Sequence, residues 1–181
     1  MPVILETERL LLRNWSLDDV EAAFRMYGDP EVGRWLGGRV MADLDAQRAD
    51  LERILPIVEG WAPRGLGFWP AVDKASGELI GAGLLKPIRY SQGEVDAGEI
   101  EVGWHLAQAH WGKGFGTEMG RRCLDHGFKQ LGLERVIAVA HPENQRSTHI
   151  MEKLGMRRVG ITQRYYDTET VLYEIDAADY R

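Results

Sequence analysis

Cysteine is almost missing: Cys123 stands alone in 181 residues, which excludes an intrachain disulfide and most zinc frameworks. Positive charge is in deficit as well. Lys and Arg number 22 against 28 Asp and Glu, a formal net charge of −6. A chain of that sign is repelled by phosphate backbones and anionic headgroups, so neither nucleic acid nor a membrane surface is the expected partner. Long apolar runs are lacking too, the longest purely aliphatic one being Val136 to Ala140, far short of a membrane-spanning helix. Met1 to Glu6 shows no basic start and no long apolar core, so no signal peptide is expected and the cytoplasm is the default compartment. His105, His110, His126, His141 and His149 share no helix face at ligand spacing, and no metal site is expected.

What is present is ordinary for a globular protein: 44% hydrophobic and 28% charged residues. The length predicts a single domain over residues 1–181, with no linker or repeat dividing it. Leu10 to Arg13 reads as a first strand. Ser16 offers a cap to a helix carrying Leu17, Val20, Phe24 and Tyr27, which Asp29-Pro30 stops. A second helix is predicted from Asp43 to about Leu55, ending before Pro56. Phe68–Val72 and Leu79–Leu85 read as a hairpin around the turn Asp73 to Gly77. Then come a strand at Ile100–Leu106, a helix at Thr117–Leu131, and Val136–Ala140, apolar throughout like a central strand. Asn144 caps a short helix that Gly155 terminates, and strands at Val159–Tyr166 and Val171–Ile175 close the chain. The pattern is a mixed α/β sheet.

The most informative stretch is Trp111-Gly112-Lys113-Gly114-Phe115-Gly116-Thr117-Glu118, between a strand and a helix. Alternate glycines let the backbone turn tightly with converging N–H groups, and at a helix N-terminus these donors suit phosphates. A merely flexible strand–helix turn accounts for the same spacing. Two known phosphate loops are excluded. A Walker A loop needs Lys-Ser/Thr after its last glycine, whereas Thr117-Glu118 follows Gly116. A dinucleotide fingerprint needs a small residue near Met119 and an acid ending the next strand, which instead ends Val139-Ala140-His141.

The hexad Trp111 to Gly116 resembles the acyl-CoA loop of the GCN5-related N-acetyltransferases (GNAT), in the form of the branch that acetylates ribosomal-protein N-termini (RimJ/RimL type). Trp111 departs from that family's usual Gln or Arg. Three further segments are similar to the same branch: Thr7 to Arg13, Ile100 to Leu106, and Asn144 through Ser147 to Met156. The resemblance runs through nearly the whole chain. It implies a GNAT-like, mostly antiparallel sheet with a splayed parallel strand pair and flanking helices. It also implies transfer of an acetyl group from acetyl-CoA, the cosubstrate, to a primary amine by direct attack in a ternary complex. The acceptor is a small molecule or a protein N-terminus, and a homodimer is left open. Transfer of a longer acyl group such as succinyl, or a non-catalytic acyl-CoA sensor, are the alternatives.

By that resemblance, main-chain N–H groups of Lys113, Gly114, Gly116 and Thr117 hold the pyrophosphate, with Trp111, Gly112 and Phe115 completing the loop. The pantetheine arm lies along Trp104, His105, Leu106 and Ala107, beside a bulge that Gly103 would relieve, and an N–H near Trp104 or His105 polarises the carbonyl. Glu101 is the expected base or amine-orienting group, with Glu99 and His105 behind it. Otherwise Glu101 is a carboxylate that only bonds backbone or pairs with an arginine. The usual tyrosine acid of the family is absent, Met151 standing in its region, and Ser147 takes the role of donor to the departing sulfur. Asn144 binds the pantetheine arm, caps the helix, or does both. Glu94, Asp96, Glu99 and Glu101 form an acidic stretch that would draw a cationic amine or simply face solvent. Trp35, Trp61, Trp69, Tyr165 and Tyr166 are candidates for an acceptor groove. Cys123 falls on a buried helix face and is expected to be inert.

Overall fold

Alternating apolar residues build the strands, and their pairing in the computed structural model, which describes residues 3–93 and 98–180, gives one eight-stranded sheet. The strands are β1 (Val3–Glu6), β2 (Leu10–Arg13), β3 (Gly67–Asp73), β4 (Leu79–Pro87), β5 (Ile100–Leu106), β6 (Arg135–Ala140), β7 (Arg157–Thr162) and β8 (Thr170–Asp176). Their spatial order is β1-β2-β3-β4-β5-β6-β8-β7. Every neighbouring pair is antiparallel except β5–β6. That one parallel pair is joined at a single register position, Glu101 opposite Ile137.

The helices are α1 (Val20–Tyr27), α2 (Pro30–Gly33), α3 (Leu44–Trp61), α4 (Phe115–Asp125) and α5 (Gln145–Lys153). Met119, Cys123 and Leu124 of α4 and Met151 and Leu154 of α5 are buried in one core with Leu12, Val102 and Val136. On the opposite face Val20 and Ala23 of α1 and Leu51 of α3 pack with Trp15 and Ala82, and Ile137, Tyr165 and Leu172 form a third cluster. Among the described residues no helix is long and apolar enough to cross a membrane.

Several boundaries differ from the sequence reading, each for a physical reason. β1 was not expected; four residues are too few to show a period, and pairing with β2 defines them. α3 does not stop before Pro56 but runs to Trp61. Pro56 sits on the exposed side, while Leu51 and Val58 are buried on either side of it, so packing outweighs the missing N–H. The helix after the glycine loop starts at Phe115 and ends at Asp125, and a π turn, His126–Gln130, replaces the continuation to Leu131. The His126 ring accounts for that turn, bonding the Gly65 carbonyl at 2.8 Å and Gln130 at 2.5 Å. β7 ends at Thr162, leaving Tyr165 and Tyr166 in the β7–β8 loop. Finally, β4 and β5 pair without a register shift from Gly81–Leu106 to Pro87–Ile100, so the bulge expected near Gly103 is not there. A side chain at Gly103 would instead press on Leu84, 3.1 Å away.

Candidate active site

The unbroken β4–β5 register fixes where the backbone of β5 points. In an antiparallel ladder one residue turns both its N–H and its C=O to a given neighbour and the next residue turns both away. Ile88 N–H donates to the Glu99 carbonyl and Ala107 N–H to the Ile80 carbonyl, so odd-numbered residues face β4. Trp104 and Leu106 therefore turn their peptide groups toward β6, beyond the one position where β5 and β6 still pair. The Trp104 N–H opens into that gap. The Leu106 carbonyl on the same edge accepts from the Trp111 indole at 2.9 Å. His105 and Ala107, the other half of the expected pantetheine stretch, turn their N–H groups to β4, which removes the His105 amide as a carbonyl-polarising donor.

Side chains alternate with the same regularity. Trp104 and Leu106 lie against α4: a Cβ at Gly120 would stand 2.9 Å from the Trp104 ring, and one at Gly116 would stand 3.6 Å from Leu106. The glycines of the loop thus have two different uses. Gly112 (φ 74°) and Gly114 (φ 84°) are left-handed and turn the chain into α4. Gly116 is helical and buried, and its missing side chain admits Ile150 of α5, whose Cδ1 would lie 2.8 Å from a Cβ there. This corrects the expectation that all three glycines serve the turn. α4 begins beside the gap with Phe115, Gly116 and Thr117 as its first residues, and the N–H groups of a first helical turn have no partner within the helix.

The start of the chain braces this loop. Arg9 donates to the Lys113 carbonyl at 3.0 Å, pairs with Glu118 at 2.6 Å and lies over the Phe115 ring at 4.3 Å. Glu118 also accepts from the Thr7 hydroxyl and the Arg9 amide. Burial pushes its acidity down, yet these bonds and the Arg9 charge win and hold the carboxyl below its usual range. Phe115 is buried in the core, so only its backbone faces the loop, whereas the Lys113 side chain is exposed.

From the other strand of the pair, α5 brings its N-terminus to the same place. The Asn144 side chain accepts from the Ser147 amide at 3.2 Å, a true helix cap. Ser147 lies one turn before Ile150 and Met151, on the face that packs toward α4 and the sheet. Arg146 stacks on Trp111 at 4.7 Å.

On the opposite face of β5 lies a polar cluster. Glu101 is buried, at 5% exposure, and its Oε1 accepts from the Lys86 ammonium and from the Tyr166 hydroxyl. The partner is a lysine and a tyrosine, neither backbone nor arginine. Four residues along, on the same face, His105 shares a hydrogen bond of 3.0 Å between its Nδ1 and the Tyr27 hydroxyl and lies edge-on to Phe68. Burial, with the Lys86 charge adding to it, pushes the His105 imidazole down to about 4, so it is neutral at pH 7. Burial likewise pushes Tyr27 and Tyr166 well above the ordinary tyrosine range, the Glu101 charge adding to the effect at Tyr166.

Glu99 is committed elsewhere. Tyr90 and Tyr165 donate to it and Arg164 and Arg135 lie at 3.5 and 3.7 Å. Burial opposes its ionisation, but these donors outweigh it and the carboxyl is held low. Glu94 and Asp96 lie outside the described residues. Of the acidic stretch, then, Glu99 and Glu101 are both already neutralised by cations. Trp69 is core, at 3% exposure. Trp61 lies under Lys86, 5.8 Å from its ammonium, and Trp35 sits 5.9 Å from His141 just past β6. Cys123 is fully buried, its thiol pushed up to about 12 by burial. Among the described residues no three His, Cys, Asp or Glu side chains gather as metal ligands would.

Arg9, Lys86 and Tyr27 were not singled out from sequence. The signal for Lys86 was a lone cation ending the apolar strand Leu79–Leu85, and nothing local said that β5 would set Glu101 opposite it.

A parallel pair parted beside a helix N-terminus has room for an anionic ligand, and comparison with known proteins gives the family. The sequence profile of the acetyltransferase (GNAT) domain matches residues 9–157, and the chain belongs to that family. The uncharacterised N-acetyltransferase p20 from Bacillus licheniformis is 30% identical over 172 residues, covering 94% of this chain and 92% of its own. A GNAT-family acetyltransferase from Bacillus anthracis superposes with a TM-score of 0.77 at 24% identity, covering 96% and 98% of the two chains. The fold is also that of an aminoglycoside acetyltransferase in complex with coenzyme A (22% identity, TM-score 0.70, 92% and 94% covered). A ribosomal-protein-S5-alanine acetyltransferase from Vibrio fischeri shares it too (20% identity, TM-score 0.70, 97% and 97% covered). The protein is an acetyltransferase.

Proposed function

We propose that the chain moves an acetyl group from acetyl-CoA to a primary amine by direct attack in a ternary complex. One observation carries this: the Trp104 N–H opens into the gap between β5 and β6, next to the start of α4. The first N–H groups of α4 and the left-handed Gly112–Gly114 turn suit a diphosphate, with Lys113 adding a point charge and Trp111 closing the loop. Trp104 and Leu106 offer the backbone edge for the pantetheine arm, and Asn144 and Ser147 face it from α5. The Trp104 N–H polarises the thioester carbonyl, an interaction typically worth ~3–4 kcal/mol in the transition state.

Glu101 takes a proton from the attacking nitrogen as the C–N bond forms. Ser147 gives one to the sulfur as the C–S bond breaks, and solvent returns the proton from Glu101 to Ser147. The acceptor is a small amine or a protein N-terminal α-amine. The segments Thr7–Arg13, Ile100–Leu106 and Asn144–Met156 favour the ribosomal N-terminal branch, while the fold itself is shared with an enzyme of aminoglycosides and one of a ribosomal protein. The setting is the cytoplasm.

The test is thiol release from acetyl-CoA with a panel of monoamines, aminoglycosides and N-terminal peptides, alongside calorimetry with coenzyme A. Heat of binding and amine-dependent release are expected. Binding without release for any acceptor would favour an acyl-CoA sensor, release only with succinyl-CoA a longer-chain enzyme, and no heat at millimolar coenzyme A would end the reading.

A further inference from the structure

Glu101 is gripped from two sides, and the grip is built from parts far apart in sequence. Lys86 lies directly opposite it across the β4–β5 ladder. Tyr166 arrives from the β7–β8 loop, and its hydroxyl is 2.9 Å from the Lys86 ammonium as well as bonded to Glu101. Both donors meet the same oxygen, Oε1. The side chains of Lys86 and Glu101 are 16% and 7% exposed.

Stability alone does not call for this arrangement, because a buried ion pair is often no better than well-packed apolar residues of the same size. The loop that delivers the hydroxyl is also costly to form. Tyr166 (φ 62°) and Asp167 (φ 56°) are both left-handed without being glycine, a conformation that persists only where the surroundings enforce it. Here they do. Asp167 accepts from Arg89 at 2.8 Å and from the Gln92 amide at 2.7 Å, and its own amide donates to Ser91 at 3.1 Å. Tyr165, the preceding residue, is anchored on Glu99 at 2.8 Å. The strained residue is the one that presents its hydroxyl beside the position where β5 and β6 part.

We propose that Lys86 and Tyr166 are positioning residues: they hold Oε1 of Glu101 so that Oε2 is the oxygen presented to the acceptor amine. This rests on the role given to Glu101 above. With Oε1 fixed at two points the carboxylate cannot rotate, and the amine proton passes to Oε2 while Lys86 keeps its own charge. The pair is neutral overall, so this part of the site recognises an uncharged amine nitrogen and offers no net negative field for a polycation. Other groups around it do not replace the grip. His105 on β5 is neutral, Arg89 lies over the Tyr166 ring at 5.4 Å, Glu99 is held by its own tyrosines and arginines, and Trp61 and Ile137 carry no charge.

The experiment follows the Glu101 carboxyl by NMR in protein labelled with [13C]glutamate, its resonance assigned by loss in Glu101→Gln. It needs no acceptor. Lys86→Met leaves the buried carboxylate without its counter-charge, so its titration midpoint moves up by about one pH unit or more. Lys86→Arg returns it, and Tyr166→Phe, which changes no shape, moves it up by a smaller amount. With acetyl-CoA and the fastest amine of the panel, the acid limb of kcat/KM shifts in the same order. An unmoved midpoint in both Lys86→Met and Tyr166→Phe overturns the grip. A midpoint that moves without the acid limb following overturns its part in the reaction. A panel with no amine-dependent release is a failure of the proposed function instead, and leaves the NMR result to judge the grip.

Discussion

At the scale of single residues, the two sides of the gap make different demands. Ser147 contributes only its backbone amide to the Asn144 cap, so its hydroxyl is dispensable for the helix. Ser147→Ala is expected to leave the melting temperature within a degree or two and to lower kcat by roughly 10²-fold, with KM for acetyl-CoA little changed. An unaltered kcat across pH would remove the hydroxyl as donor to sulfur. His105 tests the other face. Its imidazole falls from the ordinary 6.5 to about 4 on folding, so the unfolded chain binds the extra proton between those values. Stability is full above pH 6.5, declines as pH falls through that window and levels off below about pH 4. By linkage the loss from this one group is about 3 kcal/mol. Denaturant titrations of the native protein and of His105→Phe at pH 7.5 and pH 4.5 should show the gap between the two pH values narrowing in the variant. Equal pH sensitivity of the two proteins would show that His105 is not held neutral.

At the scale of elements, segments whose side-chain period is complete in itself were legible, while several boundaries and every long-range contact were not. The apolar run Val136–Ala140 and the alternating Ile100–Leu106 announced β6 and β5 because their side-chain periods are complete within the segment. The end of α3 was misjudged at Pro56, since local rules cannot see that Val58 and Trp61 on the far side have a sheet to pack on. The glycine loop was recognised while the use of Gly116 was not, because its reason is Ile150, 34 positions away. Lys86 and Tyr166 were invisible as partners of Glu101 for the same cause: cross-strand register and loop delivery are long-range facts. Gly120 makes the element-scale argument testable. A Cβ there would lie 2.6 Å from Leu154 and 2.9 Å from the Trp104 ring, and an indole wedged between helix and strand has little room to yield. Gly120→Ala is expected to destabilise the fold by ~1–3 kcal/mol through overpacking, read in urea. It should also weaken acetyl-CoA binding, because the displaced ring moves β5 at the gap. A variant as stable as the native protein would mean that α4 can lift off the sheet freely.

At the scale of the whole molecule, the sheet is two antiparallel units, β1 to β5 and β6-β8-β7, sewn together by one parallel register pair and by the α4–α5 core beneath it. Evidence for where the donor substrate enters is therefore written in backbone protection. Odd residues of β5 are bonded to β4 throughout, whereas the N–H of Trp104 faces the gap. Exchange of the His105 amide should be slow with or without acetyl-CoA. The Trp104 amide should exchange quickly in the free protein and slow by about 100-fold when acetyl-CoA is present at a hundred times its Kd, since only the unbound fraction then opens. The same mass action adds about 2.7 kcal/mol to the folded state, worth several degrees in melting temperature for a chain of this length. Hydrogen exchange read residue by residue separates this from a general tightening, which would protect His105 and Trp104 alike. If Trp104 exchanges at one rate in both states while the melting temperature rises, the substrate binds elsewhere on the fold and the parted strands are not its seat.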